Sequence, residues 1–264
     1  DEGGAVTVGL NPNVEQEVAV IGVSEKGYVN IQLTVNAAGG HSSSPPEQTA
    51  LGILSRAIVE VEDNPFPADL ANINQHFEFI GAHASFMPRL FMANQWLFSP
   101  LIRKQLLADN TTAAAIRTTT AATMSSGSPK ANILPTRATA IINFRILPGD
   151  TIESIKQRVI ELVDDDRVIV TSEYGNDPSP ASPVESRGFG LIAATIRGMD
   201  DTILVAPFML SGGTDAKYFY PLSPNVYRFV MFRATPDTLK YVHGIDEQVS
   251  VEEYFQAVGF YYHL

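Results

Sequence analysis

The sequence predicts an α/β chain built around a four-stranded antiparallel sheet in β-α-β-β-α-β order, the ferredoxin-like arrangement. Three observations predict it. Residues 28–36 and 136–145 alternate apolar and polar side chains, as strands covered on one face only do. Residues 51–61 and 152–162 repeat apolar side chains at helical spacing. With residues 65–110 set aside as an insertion, these patterns follow one another from about 27 to 173 in the order the arrangement needs.

Each element has its own signal. Residues 18–23 (VAVIGV) form a continuous apolar run, short enough for a buried strand. In 28–36, Val29, Ile31, Leu33 and Val35 share one face, and Asn30, Gln32, Thr34 and Asn36 the other. The loop AGGHSSSPPEQTA (38–50) then offers one imidazole, His41, on nearly side-chain-free backbone. Pro45 and Pro46 suit the first turn of the next helix, which carries Leu51, Leu54, Ile58 and Val61 and stops at Asp63-Asn64-Pro65. Residues 65–110, rich in Phe, Leu and Asn and holding the only tryptophan (Trp96), read as short helices; their apolar side chains suit packing better than a pocket wall. Residues 112–124 (TAAAIRTTTAATM) read as a strand and 125–129 as a turn.

In 136–145, Ala138, Ala140, Ile142 and Phe144 face the helices, so Arg137, Thr139, Ile141, Asn143 and Arg145 belong to the uncovered face. Asp150 and Glu153 form a capping box for a helix carrying Ile152, Ile155, Val159 and Leu162, and RVIVTS (167–172) is the fourth strand. YGNDPSPASP (174–183) has the composition of a linker. Beyond it come a helix at 185–198, strands at 202–205 and 226–231 flanking a loop, and a helix capped by Ser250. Residues 1–26 and 179–264 are thus expected to complete one domain around an inserted module, 27–178.

Composition narrows the function classes. With 45% hydrophobic and 18% charged residues over 264 positions, the chain is globular in character. A net charge of −11 without a Lys/Arg cluster argues against nucleic acid and anionic membrane as partners. Cysteine is absent, which removes disulfides and thiolate chemistry and fits the cytosol and a disulfide-free exported protein equally. No apolar run approaches the ~20 residues of a membrane span.

Of five histidines, His76, His83 and His263 read as structural. His243, in KYVHGIDEQVS, suits either a metal ligand with Asp246 and Glu247 nearby or an ordinary loop histidine. SGGTDAKYF (211–219) suits either an anion held on backbone N–H groups or a tight turn capped by Thr214 or Asp215. It lacks the lysine and spacing of a phosphate-binding P-loop.

Taken in order, GGHSS, NILP…NFR, SGGTD and HGIDEQ resemble one family, the zinc-dependent exopeptidases and aminoacylases with a peptidase dimerisation domain. Aminoacylase-1, glutamate carboxypeptidase and succinyl-diaminopimelate desuccinylase belong to it. DEGG, SEKGY, NPFP and HGIDEQVS look closest to the carboxypeptidase S branch, which includes secreted enzymes that make and cleave N-fatty-acyl amino acids. The resemblance covers essentially the whole chain, as the C-terminal part of a family member.

What the resemblance implies is specific. Residues 27–178 would be the lid and dimerisation domain, inserted in a partial zinc-exopeptidase α/β catalytic domain (1–26 and 179–264). Asp1 and His243 would each ligate one of two zinc ions per subunit. His41 would reach the active site of the partner subunit in a homodimer and steady the scissile carbonyl as an oxyanion; Asn132 would also be supplied across the dimer. Arg145 would bind the free carboxylate of a small-molecule substrate, a peptide or N-acyl amino acid, and Gly213 and Thr214 would contact substrate. The family's H-x-D histidine and aspartate, bridging aspartate and Glu-Glu pair all precede DEGG and are not in the chain. The expectation is therefore an incomplete, inactive fragment of a metal-dependent amidohydrolase. The rival is a non-catalytic dimerisation or binding module.

Overall fold

A computed structural model describes every residue except Asp1, Glu2 and Pro12. In chain order its elements are β1 (Val6–Thr7), β2 (Val18–Glu25), β3 (Gly27–Asn36), β4 (Gly40–His41), α1 (Ala50–Asp63), α2 (Ala71–Ile80), α3 (Phe86–Ala93), α4 (Gln95–Leu106) and α5 (Asn110–Ile116). There follow β5 (Thr119–Ser126), β6 (Ile133–Leu134), β7 (Arg137–Ile146), α6 (Ile152–Val163), β8 (Val168–Asn176), α7 (Arg187–Met199), β9 (Leu204–Leu210), β10 (Arg233–Ala234) and α8 (Val251–His263). The chain forms two compact units.

One unit, Lys26–Ala68 with Arg117–Pro178, is the ferredoxin-like module. Its sheet runs β5-β7-β3-β8, with every neighbouring pair antiparallel. The register sets Val29 opposite Phe144, Ile31 opposite Ile142 and Leu33 opposite Ala140. All six side chains are buried, in one cluster with Ile53, Leu54, Ala57 and Val61 of α1 and Ile155 and Val159 of α6. Apolar alternation thus forces both helices onto one face, because burying that stripe is the main driving force available.

Three boundaries differ from expectation. Helix α1 begins after the Pro pair, where the Thr49 hydroxyl accepts the Gly52 N–H at 3.1 Å. The cap of α6 is Thr151 with Ser154, each side chain accepting the other's backbone N–H. Asp150 instead accepts the Thr118 hydroxyl at 2.6 Å, and that hydroxyl accepts the Leu147 N–H. The stretch expected as one strand, 112–124, divides. Asp109 accepts the N–H groups of Thr111 and Thr112 and starts the Ala-rich helix α5, and the β-branched run from Thr119 forms β5.

The other unit takes the chain up to Glu25, Asp69–Ile116 and Ser179–Leu264. Its sheet order is β10-β1-β2-β9, with β2 parallel to β9. Ala19, Ile21 and Val205 pack against Phe189, Ala193 and Ile196 of α7 and Phe260 of α8. The insertion helices group here, rather than with the module that surrounds them in sequence. Ile80 and Ala84 pack on Val14, Val18 and Ala206, and the His76 Nδ1–H donates to the Pro207 carbonyl at 3.0 Å. The expected strand at 226–231 forms only a bridge, Arg228 to Gly22, before the short β10. Its alternation is broken because Arg228 and Phe229 are both buried.

Candidate functional site

Gly39 and Gly40 explain the bare loop around His41. Their φ values are +73° and +142°, which side chains resist, and a Cβ at Gly39 would lie 2.7 Å from Thr136 Cγ2. This backbone lets β4 pair antiparallel with β6, His41 opposite Ile133. The Ser42 N–H donates to the Asn132 carbonyl at 3.1 Å. His41 and Asn132, far apart in sequence, therefore stand together on one exposed two-stranded ribbon. The Ser43 N–H donates to His41 Nδ1 at 3.2 Å, with Ser43 Oγ 2.8 Å from the same nitrogen. Nδ1 is thus an acceptor, which assigns the proton of the neutral ring to Nε2.

Arg145 stands on the uncovered face of the same module's sheet, exposed as its place in the β7 alternation requires. Its guanidinium lies over the Tyr28 ring, 4.8 Å from the centroid, and Tyr28 is its direct cross-strand partner. Two pairs further along, on the same face, Asn143 Nδ2 donates to Asn30 Oδ1 at 2.9 Å, and the Tyr28 hydroxyl donates to the same oxygen at 3.1 Å. The ring under Arg145 is therefore held in place. Buried nearby, Lys26 donates to the Arg117 carbonyl at 2.8 Å. Burial, followed by the positive charges of Arg145 and Arg117, lowers its pKa to about 8, and Asp150 opposes the shift. The field here favours an anion.

In the other unit, Gly213 is exposed while Thr214 is buried. Thr214 caps the turn Asp215–Tyr218, and both its N–H (3.2 Å) and its hydroxyl donate to Glu25 Oε1. Thr214 thus turns inward, and the loop's open surface is at Gly212 and Gly213, where an added Cβ would meet nothing within 4 Å. Glu25 also accepts from Arg228 Nε at 2.6 Å, both side chains being buried. Arg228 Nη1 donates to the Val226 carbonyl, and Nη2 has no hydrogen-bond partner among the described residues. This ion pair anchors the loop, and sequence reasoning missed it. Its signal was a charge at the end of VAVIGVSE and another inside VYRFVMF.

His243 is exposed on a turn at φ +59°. Asp1 lies outside the described residues. Among the described residues no group of three or more His, Cys, Asp or Glu side chains could hold a metal ion. His76 is half-buried against β9, bonded to the Pro207 carbonyl, and desolvation lowers its pKa.

The peptidase dimerisation domain family matches residues 23–169, more than half of the chain. The chain belongs to this M20 peptidase family. Its relatives lie on the carboxypeptidase S-like branch. It is 37% identical over 255 residues to the probable carboxypeptidase S-like 2 of Dictyostelium discoideum, covering 96% of this chain and 49% of that one. It is 35% identical over 269 residues to the human N-fatty-acyl-amino acid synthase/hydrolase PM20D1, covering 100% and 54%. The chain therefore spans about half the length of these relatives. Among solved structures, the M20 family metallo-carboxypeptidase Sso-CP2 from Sulfolobus solfataricus shares the fold, with TM-score 0.59 and 15% identity over 92% of this chain and 59% of that one.

Proposed function

We propose that this chain supplies the substrate-holding part of a metal-dependent amidohydrolase, which cleaves the amide bond of a small substrate bearing a free carboxylate, a dipeptide or N-acyl amino acid. The observation that carries the reading is the exposed ribbon seating His41 beside Asn132, in the module whose open sheet presents Arg145. The relatives' names support the substrate class, since a carboxypeptidase and an N-fatty-acyl-amino acid hydrolase both act beside a carboxylate.

In this reading Arg145, held over the Tyr28 ring, grips the carboxylate by two parallel hydrogen bonds. His41 Nε2–H and the Asn132 carboxamide donate to the scissile carbonyl oxygen as negative charge develops there. A donor of this kind is typically worth about 3 kcal/mol in the transition state. His41 and Asn132 act across a homodimer formed by the ferredoxin-like modules, and the Gly212–Gly213 backbone borders the substrate. Zinc would supply the activated nucleophile, with Asp1 and His243 among its ligands. Each zinc needs three or four ligands, which the described residues do not assemble. No step is drawn through the metal, and the 264 residues alone are expected to hydrolyse nothing.

A chimera tests the reading: these 264 residues in place of the matching part of the Dictyostelium relative. The expected outcome is hydrolysis of N-acyl amino acids. Arg145→Ala should lower kcat/KM about 100-fold for the free acid, the loss expected of a charge-assisted bidentate pair, and little for the corresponding amide. A chimera that folds and dimerises without hydrolysing would instead support the non-catalytic module. Robust turnover by the 264 residues alone would refute the incomplete-site proposal.

A further inference from the structure

Helices α3 and α4 carry apolar side chains on both faces. Inward, Phe91 and Phe98 stack with centroids 4.9 Å apart, and Ile102 is buried. Outward, Trp96 is 81% exposed, Phe86 68%, Leu97 55% and Leu101 46%. On α4 the exposed residues are Trp96, Leu97, Pro100, Leu101, Arg103, Lys104 and Gln105; Trp96, Leu97, Pro100, Leu101 and Lys104 share one stripe of the helix, and the polar Arg103 and Gln105 lie beside it. A soluble surface helix carries polar residues on that side.

The charge pattern says what the stripe meets. Residues 79–108 contain no Asp or Glu, where an even spread of the chain's 29 acidic residues would place about three. The same stretch carries Arg89, Arg103 and Lys104, in a chain of net charge −11. Global charge had argued against an anionic membrane, but the field decays within about a Debye length, so local distribution decides. An apolar stripe with an exposed Trp, bordered by basic residues and cleared of acidic ones, matches the requirements of an in-plane interfacial helix.

We infer that the α3–α4 pair is a docking surface for an anionic lipid bilayer. Trp96, Leu97 and Leu101 enter the headgroup–acyl boundary while Arg103 and Lys104 meet lipid phosphates or carboxylates. Among the described residues no helix is long and apolar enough to cross a membrane; the proposed contact is an in-plane one made by the exposed stripe.

The test uses the whole chain and its single tryptophan, Trp96. Vesicles of phosphatidylcholine with phosphatidylserine should shift its emission to the blue and co-sediment the protein, and raised salt should weaken both. Leu97→Asp, at an exposed position, should abolish co-sedimentation with the circular dichroism unchanged. Arg103→Glu with Lys104→Glu should reduce partitioning at least about tenfold, since each basic residue near an anionic surface adds roughly fivefold. Absence of any shift or co-sedimentation overturns the inference. So does equal binding to pure phosphatidylcholine with the double charge reversal. A concentration-dependent blue shift without lipid, with self-association in the ultracentrifuge, overturns it in favour of a second copy as occupant.

Discussion

At position 26 a lysine ammonium is kept at 2% exposure beside two arginines. Its folded pKa of about 8 lies below the 10.5 of an ordinary lysine. Below about pH 8 both the folded and unfolded chains hold the proton, and the burial penalty is constant. Between about pH 8 and 10.5 the unfolded chain alone keeps it, so stability rises with pH across that window. The gain is at most about 3 kcal/mol. Urea midpoints measured across this range should climb for the native sequence and stay flatter for Lys26→Met. The Glu25–Arg228 pair carries a similar risk, because removing one partner leaves an uncompensated buried charge at about 3–5 kcal/mol. The sequence shows these charges only as single residues at the end of VAVIGVSEK or inside VYRFVMF, a signal that does not say whether they are paired or how far they shift. His41 and Arg145 were legible, since a Gly-Gly turn and a period-2 alternation are local.

Among the elements, β7 follows its alternation residue for residue and β3 does so except at Thr34, which is buried on the polar face, because one helix-covered face dictates the register. The stretch 112–124 did not, because Ala-rich and Thr-rich segments lie side by side and only the Asp109 cap separates them. The resulting strand, β5, is an edge of its sheet, and Ala121 to Ser126 are exposed. It carries no charged residue, whereas the opposite edge, β8, holds Glu173. Uncharged exposed edges invite pairing with another chain. The proposed homodimer is therefore expected along β5. Met124→Lys, at a 68% exposed position, should convert dimer to monomer in sedimentation equilibrium, and an unchanged dimer would refute pairing along this edge.

Over the whole molecule, each unit has its own core. Two unfolding transitions are therefore expected in calorimetry. Ile142→Ala, in the ferredoxin-like core, should cost about 2–5 kcal/mol and lower only one of them; a uniform shift of a single transition would refute independent cores. The sequence placed the insertion with the module around it, yet the structure packs its helices on Val14, Val18 and Ala206 of the other unit. The sequence by itself determined the β-α-β-β-α-β module, the family and the exposed positions of His41 and Arg145, because short-range periodicity, turn chemistry and motif order encode them. Only the tertiary structure decided where the insertion packs, that Asn132 joins His41, and that Glu25 and Arg228 hold the 211–214 loop. Those outcomes depend on contacts between distant segments, whose burial and pairing no local pattern records.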